Sequence, residues 1–398
     1  MSTRAASRRR KSAIDLVTEL MAAPGRSGQE GRIADHVRRA LLRAGVPKSA
    51  ISADAAHRRS PIGGECGNLV VKLPGTVRAP RRLLMAHLDT VPLCVGSQPV
   101  RHAARIVSKN PATGLGADNR AGVAVVLQSV LTILDEGLPH PPLTLFFPVQ
   151  EEIGLVGARY ANVSKLGRPA LCFNWDGGDP AAVTVGAIGA TAMTIVVHGI
   201  ASHAGVHPEN GVSAAVIAGR AIAELDRNGW HGKISTKSGE GTSNLGTMAG
   251  GDANNVVMSS LTIHAEARSH DPRFRAKIVA EFDSAFRKAA QEVQNIRGDC
   301  GAIEFQAEVK YDSFRLPDDA PAVVEASAAV RRAGGEPRCV VGNGGLDANW
   351  MHAHGLTTVT LGCGQHDIHT VAESLDVEEF LTACQIGLDL ATGDVRHG

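Results

Sequence analysis

The chain of 398 residues is poor in aromatic side chains, at 4% Phe, Trp and Tyr together, which leaves little for stacking nucleic-acid bases. It also has no excess of either charge: 41 Lys+Arg against 40 Asp+Glu give a formal net charge of +1, so no global field draws it to nucleic acid or to a membrane surface. No apolar run reaches the roughly 18–20 residues that a membrane-spanning helix needs. The seven cysteines, Cys66, Cys94, Cys172, Cys300, Cys339, Cys363 and Cys384, never form a C-x-x-C pair. Their odd number and wide scatter fit buried free thiols in a reducing compartment rather than a disulfide framework. What is present is apolar material for a sizeable core, at 43% hydrophobic and 20% charged residues. The expected protein is soluble, globular and cytoplasmic, with two or three domains at roughly 150 residues each. Residues 1–11, with Arg4, Arg8, Arg9, Arg10 and Lys11 and no acid, read as a disordered basic tail.

Short apolar runs at Leu83–Ala86, Leu143–Val149, Leu171–Trp175 and Thr357–Leu361 read as strands buried on both faces, and a helix is clear from Val123, Val126, Leu127, Val130, Leu131 and Leu134. This alternation predicts an α/β domain built on a mixed, mostly parallel sheet. From about Ala187 the texture changes to strand, helix, strand, helix: Thr191–His198, Val212–Arg227, Leu261–Ala267 and Arg275–Val293. The pattern predicts an inserted α+β unit over 188–304, between two segments of the larger domain, 1–187 and 305–398, with the sheet resuming at Cys339–Val341.

The apolar runs end in chemistry. Leu83–Ala86 leads to His87 and Asp89, which a strand's period of two puts on one face. Leu143–Val149 leads to Glu151 and Glu152, Leu171–Trp175 to Asp176, and Thr357–Leu361 to His366 and His369. Asp118 stands just before the clear helix, where alone it reads equally as a cap. Ligands of open α/β sheets bind at the edge where these strands end. Imidazoles and carboxylates without a cysteine suit a hard-to-borderline divalent ion, zinc first, with cobalt or manganese as substitutes. His87, Asp118, Glu152, Asp176 and His369 are too many for one four-coordinate ion. They suit two ions about 3.5–4 Å apart, bridged by one carboxylate and a water or hydroxide. Glu151, beside a ligand, is the candidate general base. Asp89 is placed to hold the His87 tautomer.

The order H-x-D, G-x-D-N, E-E, D-G-G and the late His369-Thr370-Val371-Ala372-Glu373 resembles the dinuclear zinc peptidases that include peptidase T, glutamate carboxypeptidase and aminoacylase. Gly344-Gly345-Leu346-Asp347-Ala348-Asn349 and Gly186-Ala187-Ile188-Gly189 look closest to the peptidase T-like, tripeptide aminopeptidase branch. The resemblance implies that Asp118 bridges two metals, His87 and Asp176 completing one and Glu152 and His369 the other, and that the Asp118–Asn119 peptide is cis. It makes the inserted unit a lid that also forms a homodimer. Within it, His203, in Gly199-Ile200-Ala201-Ser202-His203-Ala204-Gly205, resembles a histidine that stabilises the oxyanion. Asn255 and Arg268 match substrate contacts, and the guanidinium suits a substrate carboxylate. The unhindered backbone of Gly344 and Gly345 suits closure around a peptide. Two departures stand out: Met258 occupies a usual proline position, and His366-Asp367-Ile368 precedes the ligand where an Asn pair is more usual. The expectation is hydrolysis of an amide bond in small di- or tripeptides bearing a free carboxylate, by metal-bound hydroxide with Glu151 as base. An N-acyl amino acid amidohydrolase is the alternative, with a catalytically silent peptide-binding protein behind it.

Overall fold

In a computed structural model, residues 3–393 are described. The apolar runs form the middle of a mixed sheet whose strands lie in the order Ile51–Ala53, Leu69–Leu73, Leu143–Phe147, Arg82–Met85, Leu171–Trp175, Thr358–Leu361, Ala182–Ala187. Its four central strands, from Leu143–Phe147 to Thr358–Leu361, run parallel, and the outer neighbours pair antiparallel. Leu83, Leu84 and Met85 are all fully buried, as are Leu145, Phe146 and Phe147. Both faces of these strands are therefore covered, which is why they carry no polar alternation. The register aligns Met85 with Phe146 and Asn174, and Trp175 with Leu361, so all four parallel strands finish at one edge. Strand Arg338–Gly342 joins by pairing with Ala182–Ala187.

This unit takes in Met1–Gly186 and Arg315–Gly398, and a second comprises Ala187–Phe314. The second unit's antiparallel sheet has the order Gly232–Thr236, Gly239–Gly250, Ser260–Ser269, Gly189–His198, Ala302–Tyr311. Helices Ala214–Arg227 and Pro272–Glu292 pack on it around Ile195, Val197, Ile217, Ile263, Phe282 and Phe286. Ser213 and Asp271 cap these helices, their side chains accepting from the amides of Val216 and Arg273. The expected boundary at 304 is corrected to 314, because Ala302–Tyr311 pairs along the length of Gly189–His198.

The basic N-terminus is a second correction. Residues 1–2 lie outside the described residues, but Thr3–Ala22 is a helix, not a disordered tail. Ala13, Val17, Leu20 and Met21 are buried at helical spacing, and the helix packs on helices Ala117–Glu136 and Val377–Thr392. Arg9 pairs with Glu136 and Arg10 with Glu378, so acids distant in sequence balance the arginines. The cysteines are free, but only Cys94, Cys172, Cys363 and Cys384 are buried; Cys339 is exposed and Cys66 and Cys300 are half-buried. Among the described residues, no helix is long and apolar enough to cross a membrane.

Candidate metal centre

The shared edge of the parallel strands collects the acids and histidines. Asp118 stands at the centre: its Oδ1 lies 3.1 Å from His87 Nε2 and its Oδ2 lies 3.1 Å from His369 Nε2. His369 Nε2 is also 3.0 Å from Glu152 Oε2, and His87 Nε2 is 4.0 Å from Asp176 Oδ1. His87, Asp118 and Glu152 offer ligand atoms within 4.8 Å of one another. The Asp118–Asn119 peptide is cis. Asn119 then donates to Trp175 O at 2.6 Å and accepts from Gly122 N at 3.0 Å. His366 is turned away, with Nε2 2.5 Å from Glu379 Oε2.

Asp89 organises the strand ends. Its Oδ1 accepts from Glu151 N at 2.9 Å, and its Oδ2 accepts from Ser27 Oγ at 2.7 Å and Glu152 N at 3.2 Å. His87 Nδ1 faces the Asp89 carbonyl at 3.1 Å and Oδ1 at 3.4 Å. With its proton on Nδ1, the ring could offer Nε2, which faces Asp118 and Asp176, to a cation. Gln150 and His369 hold left-handed backbone, at φ +57° and +62°. Such conformations persist where surroundings impose them. Around Gln150 the anchors are Glu30 Oε1, which accepts from Gln150 N at 3.1 Å, and Gly63 O, which accepts from Gln150 Nε2 at 2.7 Å.

The electrostatics are those of too many buried carboxyls. Burial, then the field of Asp118, pushes Asp176 up to about 7, partly offset by His87. Burial pushes Glu151 well above the carboxylate range, with Asp176, Asp347 and Glu152 adding to it against His87. Burial alone would raise Asp118, but the hydrogen bonds from His369 and His87 hold it below its ordinary value. Those to Asp118 and Glu152 carry His369 up to about 10. Removing that much negative charge from water is costly unless cations compensate it. Imidazole nitrogens and carboxylate oxygens facing one another are a donor set that fits divalent ions of the zinc, cobalt or manganese type.

Three acids gained structural parts that sequence reading did not give them. Glu373, read only as part of a motif, accepts from Leu115 N, Gly116 N and Asp118 N at 2.8, 2.8 and 3.0 Å, fixing the loop that presents Asp118. Asp347 is 1% exposed, neither of its oxygens has a hydrogen-bond partner among the described residues, and burial with the neighbouring acids pushes it up to about 8 against the pull of His87. Glu30, wholly buried, is pushed up to about 7 by burial and then by Asp89. The three-amide cradle of Glu373 and the turn around Glu30 had no local pattern to betray them. Replacing Glu373 with Gln puts a donor against one of those amides. We expect metal affinity to fall about 10–100-fold, the range for partners that orient ligands, measured by competitive titration with a chromophoric chelator; wild-type affinity would deny Glu373 this role.

Gly344 and Gly345 precede helix Asp347–Ala353, and a Cβ at Gly344 would meet nothing within 4 Å. His203, Asn255 and Arg268 belong to the second unit. His203 and Asn255 are exposed, with Nδ1 of His203 accepting from Gly205 N at 3.2 Å and Asn255 O accepting from Ala204 N at 2.9 Å. The Arg268 guanidinium grips Glu266 in two hydrogen bonds, of 2.9 and 3.0 Å.

Residues 83–392 match the model of Peptidase family M20/M25/M40. The chain belongs to this family. A relative in Bacillus subtilis (strain 168), the uncharacterized protein YqjE, is 31% identical over 324 residues, 81% of this chain and 84% of its own length. A tripeptidase from Staphylococcus aureus has a similar structure, with a TM-score of 0.86 at 27% identity, covering 98% of this chain and 99% of that one. The aminopeptidase PepT from Bacillus cereus ATCC 10987 gives 0.82 at 29% identity, covering 96% and 98%. Within its family the chain is of the peptidase T-like branch, and its mixed α/β fold with a mostly parallel core is that of these neighbours.

Proposed function

We propose that this M20 member is a metal-dependent aminopeptidase that hydrolyses an amide bond in di- or tripeptides. The observation that carries the reading is the Asp118 carboxylate, shared between His87 and His369 amid a surplus of buried acid. His87 and Asp176 would hold one divalent ion and Glu152 and His369 the other, with Asp118 between them; zinc suits the set best, and cobalt or manganese would substitute. Bound there, such ions make water more acidic and polarise a carbonyl.

The chain's own groups supply the rest. Glu151, its backbone amide held by Asp89, takes the proton of the attacking water on its carboxylate and passes it to the leaving amine. Asp89 fixes the His87 tautomer by accepting from Nδ1. On the resemblance alone, we assign oxyanion stabilisation to His203, substrate contacts to Asn255 and the Gly344-Gly345 backbone, and the grip on the substrate carboxylate to Arg268, which would exchange Glu266 for it. The same resemblance supports a homodimer formed through the inserted unit.

The test is a panel of tripeptides, dipeptides and N-acyl amino acids, assayed with zinc, cobalt or manganese and with chelator. Cleavage of free-amine peptides that chelator abolishes is the expected result. Turnover confined to N-acyl amino acids would instead make the protein a deacylase, and peptide binding without turnover would make it a silent binder.

A further inference from the structure

Beside the metal centre, within the same unit, is a cleft of about 380 Å³ whose lining includes Glu152. The rest of its surface is mainly hydrocarbon: Ile62, Val91, Pro92 and Ile153 line it, and Ile62 and Ile153 are 60% and 42% exposed. We propose that this cleft is a specificity subsite that takes an apolar side chain of leucine or methionine size, carried by a residue flanking the scissile bond. The proposal rests on the reading of the centre as a peptidase site.

Three observations carry it. First, the cleft is continuous with the ligand set. Glu152 belongs to both, Ile153 follows it in the chain, and Val91 and Pro92 follow Asp89 by two and three residues. A peptide with its amide at the centre therefore has a neighbouring side chain within reach of the cleft. Second, some of the polar groups that line the cleft are engaged with the protein. Arg26 Nε donates to Gln29 Oε1 at 3.1 Å, and Ser27 Oγ donates to Asp89 Oδ2 at 2.7 Å. Most of the surface left to meet a ligand is apolar, and its burial is favourable in proportion to its area. Third, the walls are fixed. Thr90 N donates to Gly25 O at 3.2 Å, tying the 26–29 wall to the strand end that carries His87 and Asp89. The turn bearing Ile153 is closed by Gly154 N and Leu155 N on Glu151 O, at 3.0 and 2.8 Å. A preformed apolar wall selects by size and polarity with little ordering cost.

An acidic side chain would meet the field of Glu152 and its neighbouring carboxyls, and a glycine would leave the four apolar residues wet. Hydrophobic pockets of this kind discriminate by about 10–200-fold.

The experiment measures kcat/KM of the zinc-loaded full-length protein on Leu-Gly-Gly, Gly-Leu-Gly, Gly-Gly-Gly and Asp-Gly-Gly. A leucine peptide should exceed Gly-Gly-Gly by about 30-fold, and Asp-Gly-Gly should be poorest. In Ile62→Ser and in Ile153→Ser the leucine-to-glycine ratio should fall about tenfold, whereas Ile62→Leu and Ile153→Leu should keep it. Both isoleucines are surface positions, so folding is not at stake. Calorimetric binding of Leu-Gly-Gly against Gly-Gly-Gly to the Glu151→Gln protein reads the same preference without turnover. If the wild type turns over no peptide, the functional reading fails, and the binding ratio still decides the subsite. Equal values for leucine and glycine peptides, or a ratio unmoved by both serine variants, overturn the subsite.

Discussion

Replacing Glu151 with Gln is expected to lower kcat by at least about 100-fold, at the lower end of what a positioned general base supplies, while the content of bound divalent ion stays at the wild-type level. Gln keeps the shape of Glu and the backbone amide that donates to Asp89, so the strand end need not move. It cannot accept a proton. Glu151 is 9% exposed, and burial followed by the carboxyls of Asp176, Asp347 and Glu152 raises its affinity for a proton against the opposing pull of His87. Cations at the neighbouring ligands would lower it again, toward the operating range in which a base both takes and returns a proton. The check is paired: steady-state turnover on a cleaved tripeptide and metal analysis of the same preparation. Turnover within a few-fold of wild type would take the role from Glu151, and loss of metal would make it a ligand.

The part of this centre that was legible in the sequence lies where a strand buried on both faces stops. Such strands are written as unbroken apolar runs, so the polar residue after each run is conspicuous: His87 after Ala86, Glu151 after Gln150, Asp176 after Trp175. Asp118 was legible because a well-patterned helix follows it. Other features depend on residues distant in the chain. Asp347 is a lone acid in a glycine-rich stretch, and its unusual environment exists only once the sheet brings it near Asp176 and Asp89. Strand Gly239–Gly250 is mostly exposed and has no apolar run to announce it. The N-terminal arginines read as a solvated tail because their partners, Glu136 and Glu378, are 127 and 368 residues away. The subsite lining is likewise drawn from separate loops at 62, 91–92 and 153, each unremarkable alone.

The excess of buried acid has a thermodynamic consequence that can be measured without any substrate. In protein stripped of divalent ions by chelator, stability should fall steadily between about pH 5 and 8, and zinc should raise Tm much more at pH 8 than at pH 5. Asp176, Asp347 and Glu30 are raised to about 7, 8 and 7 by burial and neighbouring charge, while unfolded chains titrate near 4. Between those limits the native state holds more protons than the unfolded one. Stability is therefore fully present below the unfolded pKa, and each group lowers it by up to about 1.4 kcal/mol per pH unit until its native pKa is passed. His369, raised to about 10 by Asp118 and Glu152, acts in the same direction above about pH 6.5. Asp118 acts oppositely, since its depressed pKa costs stability only as pH falls through the acid range. With a formal net charge of +1, general self-repulsion adds little to this trend. Divalent ions and protons compete for the same imidazoles and carboxylates, so metal affinity should rise as protons leave. Scanning fluorimetry from pH 5 to 9, with chelator and with zinc, reads both slopes. A Tm independent of pH in chelator, or an equal zinc shift at pH 5 and 8, would mean that these carboxyls are neutralised within the protein and that the cluster does not call for a cation.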